Sequence, residues 1–133
     1  MQTTTLVALE KALDGTARRH QVIVNNIANV DTPGYKRSTV RFEEELKVAL
    51  QSGGKLPLVV THPCHFRSNL TLADIKPQII SEYQTSIRND GNNVDIDAEM
   101  GELAKNSLLY QALVQQYNNQ LNRWRLVINE GRR

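Results

Sequence analysis

NNIANVDTPGYKR, residues 25–37, decides how the chain is read. Thr32 precedes Pro33 and is disfavoured in helical backbone, and Pro33–Gly34 suits the central pair of a type II turn, whose second residue needs a positive φ. A helix arriving from the N-terminal side is therefore expected to stop near Val30. Asn25, Asn26 and Asn29 are poor helix formers whose amides bond readily to backbone. The stretch reads as a helix terminus with its amides aimed at a neighbouring segment.

Upstream, Leu6, Leu9, Leu13, Thr16, His20, Ile23, Ile27 and Val30 follow steps of three and four, the spacing of a coiled-coil seam. Lys11, Asp14, Arg18, Arg19, Gln21 and Asn25 fall off it, which leaves a narrow apolar stripe on a wet helix in need of a partner. The second periodic stretch runs from about residue 98 to 128. Leu103, Tyr110, Tyr117 and Trp124 recur every seven residues, Leu113 and Val127 take the companion position, and Val114, Leu121 and Ile128 widen the face. Asp97 is expected to be its N-cap, with Glu99 and Glu102 in the first turn and Arg123 and Arg125 towards the other end, as the helix dipole favours.

Between the helices the pattern changes. Phe42, Leu46, Ala49 and Leu50 predict a short helix ended by Ser52–Gly53–Gly54. LPLVVTH (56–62) and PQIISEYQTSIR (77–88) are rich in Val, Ile, Thr and Tyr and read as strands, and RNDGNNVDID (88–97) reads as a turn feeding the second helix. The expected fold is mainly α: long N- and C-terminal helices pairing as a coiled coil, with a small β-containing middle segment. The corresponding units are 1–37, 38–96 and 97–133.

A length of 133 residues with 40% hydrophobic composition suits one domain, and 5% aromatics make its core mainly aliphatic. A net charge of +2, from 16 basic and 14 acidic residues, argues against nucleic acid as a partner. The basic pairs Arg18–Arg19, Lys36–Arg37 and Arg132–Arg133 are not interleaved with Phe and Tyr. The lone cysteine, Cys64, allows no intramolecular disulfide. The N-terminus lacks the basic and apolar regions of a cleaved signal peptide, and no run is long enough for a membrane span. No nucleophile elbow, phosphate-binding glycine loop or zinc-protease helix is present, so no catalytic site, cofactor or small-molecule substrate is expected.

Two clusters suggest metal chemistry. His62–Pro63–Cys64–His65 packs three zinc-type ligands into four residues, but no second cluster supplies a fourth, and a loop is the better reading. Asp90, Asp95, Asp97 and Glu99 have the look of a calcium loop, yet Gly91 and Val94 fall where an EF-hand needs a ligand or a different turn. A small metal-binding protein centred on His62, Cys64 and His65, or a soluble helical adaptor, are the competing functional classes.

Asn25–Asn26–Ile27–Ala28–Asn29 followed by Thr32–Pro33–Gly34–Tyr35–Lys36 resembles the N-terminal motif of the rod, hook and hook-associated proteins of the bacterial flagellum. DGNNVDIDAEMGELAKNSLLYQAL, residues 90–113, is similar to the proximal rod subunits in that family. The resemblance spans nearly the whole chain except about 53–84. It implies a structural subunit whose terminal helices form a coiled-coil domain along an axial tube. It also implies export through the flagellar type III apparatus without a cleaved signal, and assembly in the periplasm into the rod of the basal body. The implied partners are further copies, other rod proteins, a membrane-ring adaptor and export-gate components. The implied assembly residues are Asn25, Asn26, Ile27, Ala28, Asn29, Thr32, Pro33, Gly34 and Tyr35, with Leu6, Leu9, Leu13, Ile23, Leu103, Tyr110, Leu113, Tyr117, Leu121 and Trp124 along the coiled-coil seam.

Overall fold

A computed structural model describes residues 4–51, 75–83 and 90–131. Among these residues the elements in chain order are α1 (Thr4–Ala28), β1 (Ser38–Arg41), α2 (Glu43–Gln51), β2 (Gln78–Ser81) and α3 (Ile96–Glu130). The long terminal helices pack together, as the periodicity requires. Asn26 meets Glu99 while Asn106 Nδ2 donates to the Thr16 carbonyl at 2.9 Å, so falling numbers on α1 face rising numbers on α3 and the pair is antiparallel. At 1.5 Å per residue, the 25 residues of α1 span about 37 Å and the 35 of α3 about 52 Å. The excess lies at the end away from Asn26, where roughly the last ten residues of α3 run past Thr4.

The phase of the α1 stripe differs from the sequence reading. Thr16 and Ile23 are buried as expected, but His20 is exposed, and Gly15, Val22 and Asn26 are buried instead. The cause is that α1 packs on two sides. One side meets α3, and the other meets β1 and α2 through a core of Val22, Val40, Phe42, Ala49 and Ile75. Two contacts bury a wider arc than a single coiled-coil seam.

Phe42 immediately precedes α2, with the Leu46 N–H donating to its carbonyl at 3.0 Å, and its ring lies on α1 at Gly15. A β-carbon on Gly15 would stand 2.7 Å from Phe42 Cε1 and 2.9 Å from Cγ. Gly15→Ala gains about 1 kcal/mol of helix propensity. Displacing a packed ring costs about 1–3 kcal/mol. Net destabilisation in urea titration is therefore expected, with part of the loss recovered when Phe42→Leu is added. Equal or greater stability of the single variant would show that the ring is not seated there.

Among the described residues the sheet has two antiparallel strands, with Ser38 opposite Ser81 and Val40 opposite Ile79. Of the expected 77–88 strand, Gln78–Ser81 is β among the described residues, and 84–88 lie outside them. Its partner Ser38–Arg41 was not foreseen, because four residues squeezed between a turn and a helix are too few to display an alternation. The expected strand at 56–62, together with His62, Cys64 and His65, lies outside the described residues. The start of α3 is also corrected: Asp95, not Asp97, is the N-cap. Its Oδ1 accepts from the Asp97 N–H (3.0 Å) and the Ala98 N–H (3.4 Å), which places Asp97 inside the first turn. No helix among the described residues is long and apolar enough to cross a membrane.

Candidate functional site

The chain leaving α1 turns at Pro33–Gly34. Gly34 has φ +72, and the Tyr35 N–H donates to the Thr32 carbonyl at 3.3 Å, as a type II turn requires. This turn presses against a second one at Gly91 (φ +83), where a β-carbon would lie 3.9 Å from Gly34 Cα. The Gly34 N–H donates to the Asp90 carbonyl (3.0 Å), and Lys36 Nζ donates to the Gly91 carbonyl (2.7 Å). Residues 25–37 and 90–99, far apart in sequence, thus form one polar tie.

Asn26 lies at its centre, 1% exposed. Nδ2 donates to the Ser38 carbonyl (2.8 Å) and to Glu99 Oε2 (3.1 Å), while Oδ1 accepts from the Ser38 N–H (3.0 Å) and Tyr35 Oη (3.3 Å). The amide pairs both backbone groups of Ser38, as a neighbouring strand would, and so aims β1 relative to α1. Asn92, fully buried, caps the end of α1 from across the chain: its Nδ2 lies 3.1, 2.9 and 3.0 Å from the carbonyls of Asn29, Val30 and Thr32. Carbonyls at a helix end otherwise lack partners. Asn93 Oδ1 accepts from the Arg37 N–H (2.6 Å) and its Nδ2 donates to the Glu82 carbonyl (2.8 Å), joining this junction to the end of β2.

The charged member of the tie is Glu99, whose side chain is fully buried. Arg37 Nε donates to Glu99 Oε1, and Arg37 Nη1 reaches Glu82 Oε1 at 3.3 Å. A buried carboxylate persists only when it is paired and hydrogen-bonded. Burial pulls the Arg37 guanidinium downward, but the Glu99 hydrogen bond and the charges of Glu99, Glu82 and Glu102 outweigh it and hold the group above its ordinary value. Burial, with the Glu99 charge, pushes the Tyr35 phenol upward.

Of the motif residues singled out from sequence, Asn26 is buried, and Ile27, Asn29 and Tyr35 are half-buried. Asn25, Ala28, Thr32, Pro33 and Gly34 face solvent. Asn29 closes the helix end, donating to the Asn25 carbonyl (2.8 Å) and accepting from Thr32 Oγ1 (3.2 Å). Along the two long helices Ile23 is buried. Leu6, Leu9, Leu13, Leu103, Leu113, Tyr117, Leu121 and Trp124 are half-buried, and Tyr110 is exposed. Three of the four carboxylates weighed as a calcium loop have other partners: Asp95 caps α3, Asp90 Oδ1 accepts from the Asn92 N–H (3.2 Å), and Glu99 binds Arg37. Among the described residues no group of three His, Cys, Asp or Glu is placed to hold a metal ion. The sequence reading missed Asn92, Asn93 and Arg37 as members of the tie. Paired asparagines in both segments were the available signal.

A helical hairpin locked at one end by this tie, with apolar side chains left uncovered along α3, defines a building block of a larger assembly. Comparison with known proteins agrees: residues 6–36 match the family described as flagella basal body rod protein. Flagellar basal body rod protein FlgB of Bacillus subtilis (strain 168) is 39% identical over 128 residues, covering 96% of this chain and 95% of the relative. FlgB of Escherichia coli (strain K12) is 33% identical, covering 92% and 91%, and FlgB of Borrelia hermsii is 42% identical, covering 74% and 76%. The chain belongs to the FlgB family of flagellar basal body rod proteins.

Proposed function

We propose that the chain is a structural subunit of the flagellar rod in which the tie fixes the hairpin internally while the exposed side chains of α3 and of the 25–35 segment meet neighbouring subunits. The observation that carries this reading is the joining of the two motif segments by Asn26, Asn92 and the Arg37–Glu99 pair. A subunit must hold one shape if its outer surface is to repeat along an array. Within the 25–35 motif, Asn25, Ala28, Thr32, Pro33 and Gly34 are the members a neighbour can reach. The half-buried seam residues of α1 and α3 have room for further contacts. Family membership supports a structural rather than a catalytic role. It also supports partners among other rod proteins and, at finer grain, the membrane-ring adaptor and the export gate, with the periplasmic rod as the place of assembly.

Leu108 provides the test because it is 69% exposed in the subunit. Leu108→Asp is expected to change unfolding free energy by no more than about 0.5 kcal/mol, as exposed substitutions generally do. Assembly is expected to suffer far more, because every repeated interface buries the new carboxylate. Urea titration of the purified chain and quantitation of the subunit in isolated basal bodies measure the two effects separately. Normal incorporation of a stably folded variant would remove this face of α3 from the proposed contact.

A further inference from the structure

We propose that the Asp90–Gly91 step is a site of self-modification, which converts through a succinimide to isoaspartate while the polar tie is open and is shielded once the tie closes. The chain has one other Asp–Gly step, Asp14–Gly15. At such a step the glycine has no side chain to crowd its nitrogen as it approaches the carboxyl carbon. The Gly91 nitrogen attacks Asp90 Cγ: an N–C bond forms, a Cγ–O bond breaks, and the hydroxyl of the protonated carboxyl leaves as water with the amide proton. Water then adds to one carbonyl of the five-membered ring. Addition at the former backbone carbonyl breaks its bond to nitrogen, and the chain thereafter runs through Cγ.

The closed tie denies this attack its geometry. Bringing Cγ over the Gly91 nitrogen requires rotation about the Cα–Cβ and Cα–C bonds of Asp90. Its Oδ1 is held by the Asn92 N–H (3.2 Å) and its carbonyl by the Gly34 N–H (3.0 Å), so both rotations are pinned. Lys36 Nζ, on the Gly91 carbonyl at 2.7 Å, fixes the peptide that follows. Asp90 is exposed, so water reaches it and geometry alone does the shielding. Asp14–Gly15 is shielded differently: its glycine N–H belongs to the hydrogen-bond ladder of α1, and Gly15 is buried beneath the Phe42 ring.

Conversion and closure exclude each other. Isoaspartate inserts one methylene into the backbone ahead of Gly91 and lengthens it by about 1.5 Å, one carbon–carbon bond. Asn92 Nδ2 lies 3.1, 2.9 and 3.0 Å from the carbonyls of Asn29, Val30 and Thr32. Bonds of this kind span only about 2.7–3.2 Å, so a shift of that size takes Asn92 off the end of α1. A chain that waits unfolded therefore loses, with time, the means to lock its hairpin. The inference goes beyond the rod reading and stands on the tie alone.

The test holds the full chain at neutral pH in buffer and in concentrated urea, and maps isoaspartate by electron-transfer fragmentation of its peptides. Conversion at position 90 is expected to be at least about tenfold slower in buffer: chemistry confined to opened chains is scaled by the opening equilibrium, and about 1.4 kcal/mol is a factor of ten. In buffer, Lys36→Met is expected to raise the rate several-fold at position 90 and to leave position 14 unchanged. In urea, Gly91→Ala is expected to slow conversion at position 90 alone. The aged wild-type sample is then refolded and given a brief protease pulse that digests unfolded chains. Isoaspartate at position 90 is expected to be depleted from the survivors. Equal rates at position 90 in buffer and urea, or isoaspartate undiminished among the survivors, overturns the proposal. So does a Lys36→Met chain that is no faster at position 90, or equally faster at both positions, since the shielding would then belong to folding in general and not to the tie.

Discussion

Replacing Asn26 with alanine is expected to destabilise the folded subunit by about 3–5 kcal/mol, since each buried polar group left without a partner costs roughly 1–3 kcal/mol. The substitution removes two donated and two accepted bonds together. It strands the Ser38 N–H and carbonyl, and deprives Glu99 Oε2 of its amide. A domain of this size is stable by only about 5–15 kcal/mol, so the loss takes a large share of the total. Asn26→Asp is expected to be at least as damaging at neutral pH, because it exchanges a donor for a second carboxylate beside buried Glu99. Urea denaturation followed by far-UV circular dichroism measures both, and a loss below about 1 kcal/mol for the alanine variant would mean that water replaces the amide without penalty.

The second large effect is expected at Arg37. Removing one partner of a buried ion pair typically costs about 3–5 kcal/mol, because the surviving charge remains buried and uncompensated. Arg37→Met leaves Glu99 with the Asn26 amide and little else. Replacing both charges with apolar side chains is often close to neutral. The double variant Arg37→Met, Glu99→Met is accordingly expected to regain at least half of what Arg37→Met loses. Additive losses in that cycle would show that Glu99 is stabilised by surroundings other than Arg37.

The long helices and the turn were readable because their signals are local. Heptad spacing marks the two helices, and Pro33–Gly34 fixes the exit of α1, which ends at Ala28 with Gly34 at positive φ. The phase of the α1 stripe was less legible, since His20 lies in register with the leucines while the fold buries Val22 and Asn26. A helix packed on two sides does not obey a one-seam rule. The polar tie was hidden for a different reason. Asn26, Asn92, Asn93 and Glu99 look like surface residues by hydropathy, and what buries them is partners up to 73 positions away. Gly15 gave no sign either, because a glycine that seats an aromatic ring looks the same in sequence as one that merely weakens a helix. Asp95 and Asp97 are both acceptable caps by residue type, and only the backbone turn before Ile96 separates them.

Because Asn26 and Glu99 stand 73 residues apart along the chain, the junction also sets when folding finishes. A ribosome supplies the N-terminal segment first, and the helix it encodes has neither its antiparallel mate nor its Asn92 cap until most of the polypeptide has emerged. An isolated helix without a packed face is marginal in water. Closing so long a loop must precede the reward of its bonds, and non-local pairing of this kind slows the search for the native state. The nascent chain therefore has a built-in delay: early residues wait, uncommitted, until the last third of the sequence arrives to lock them.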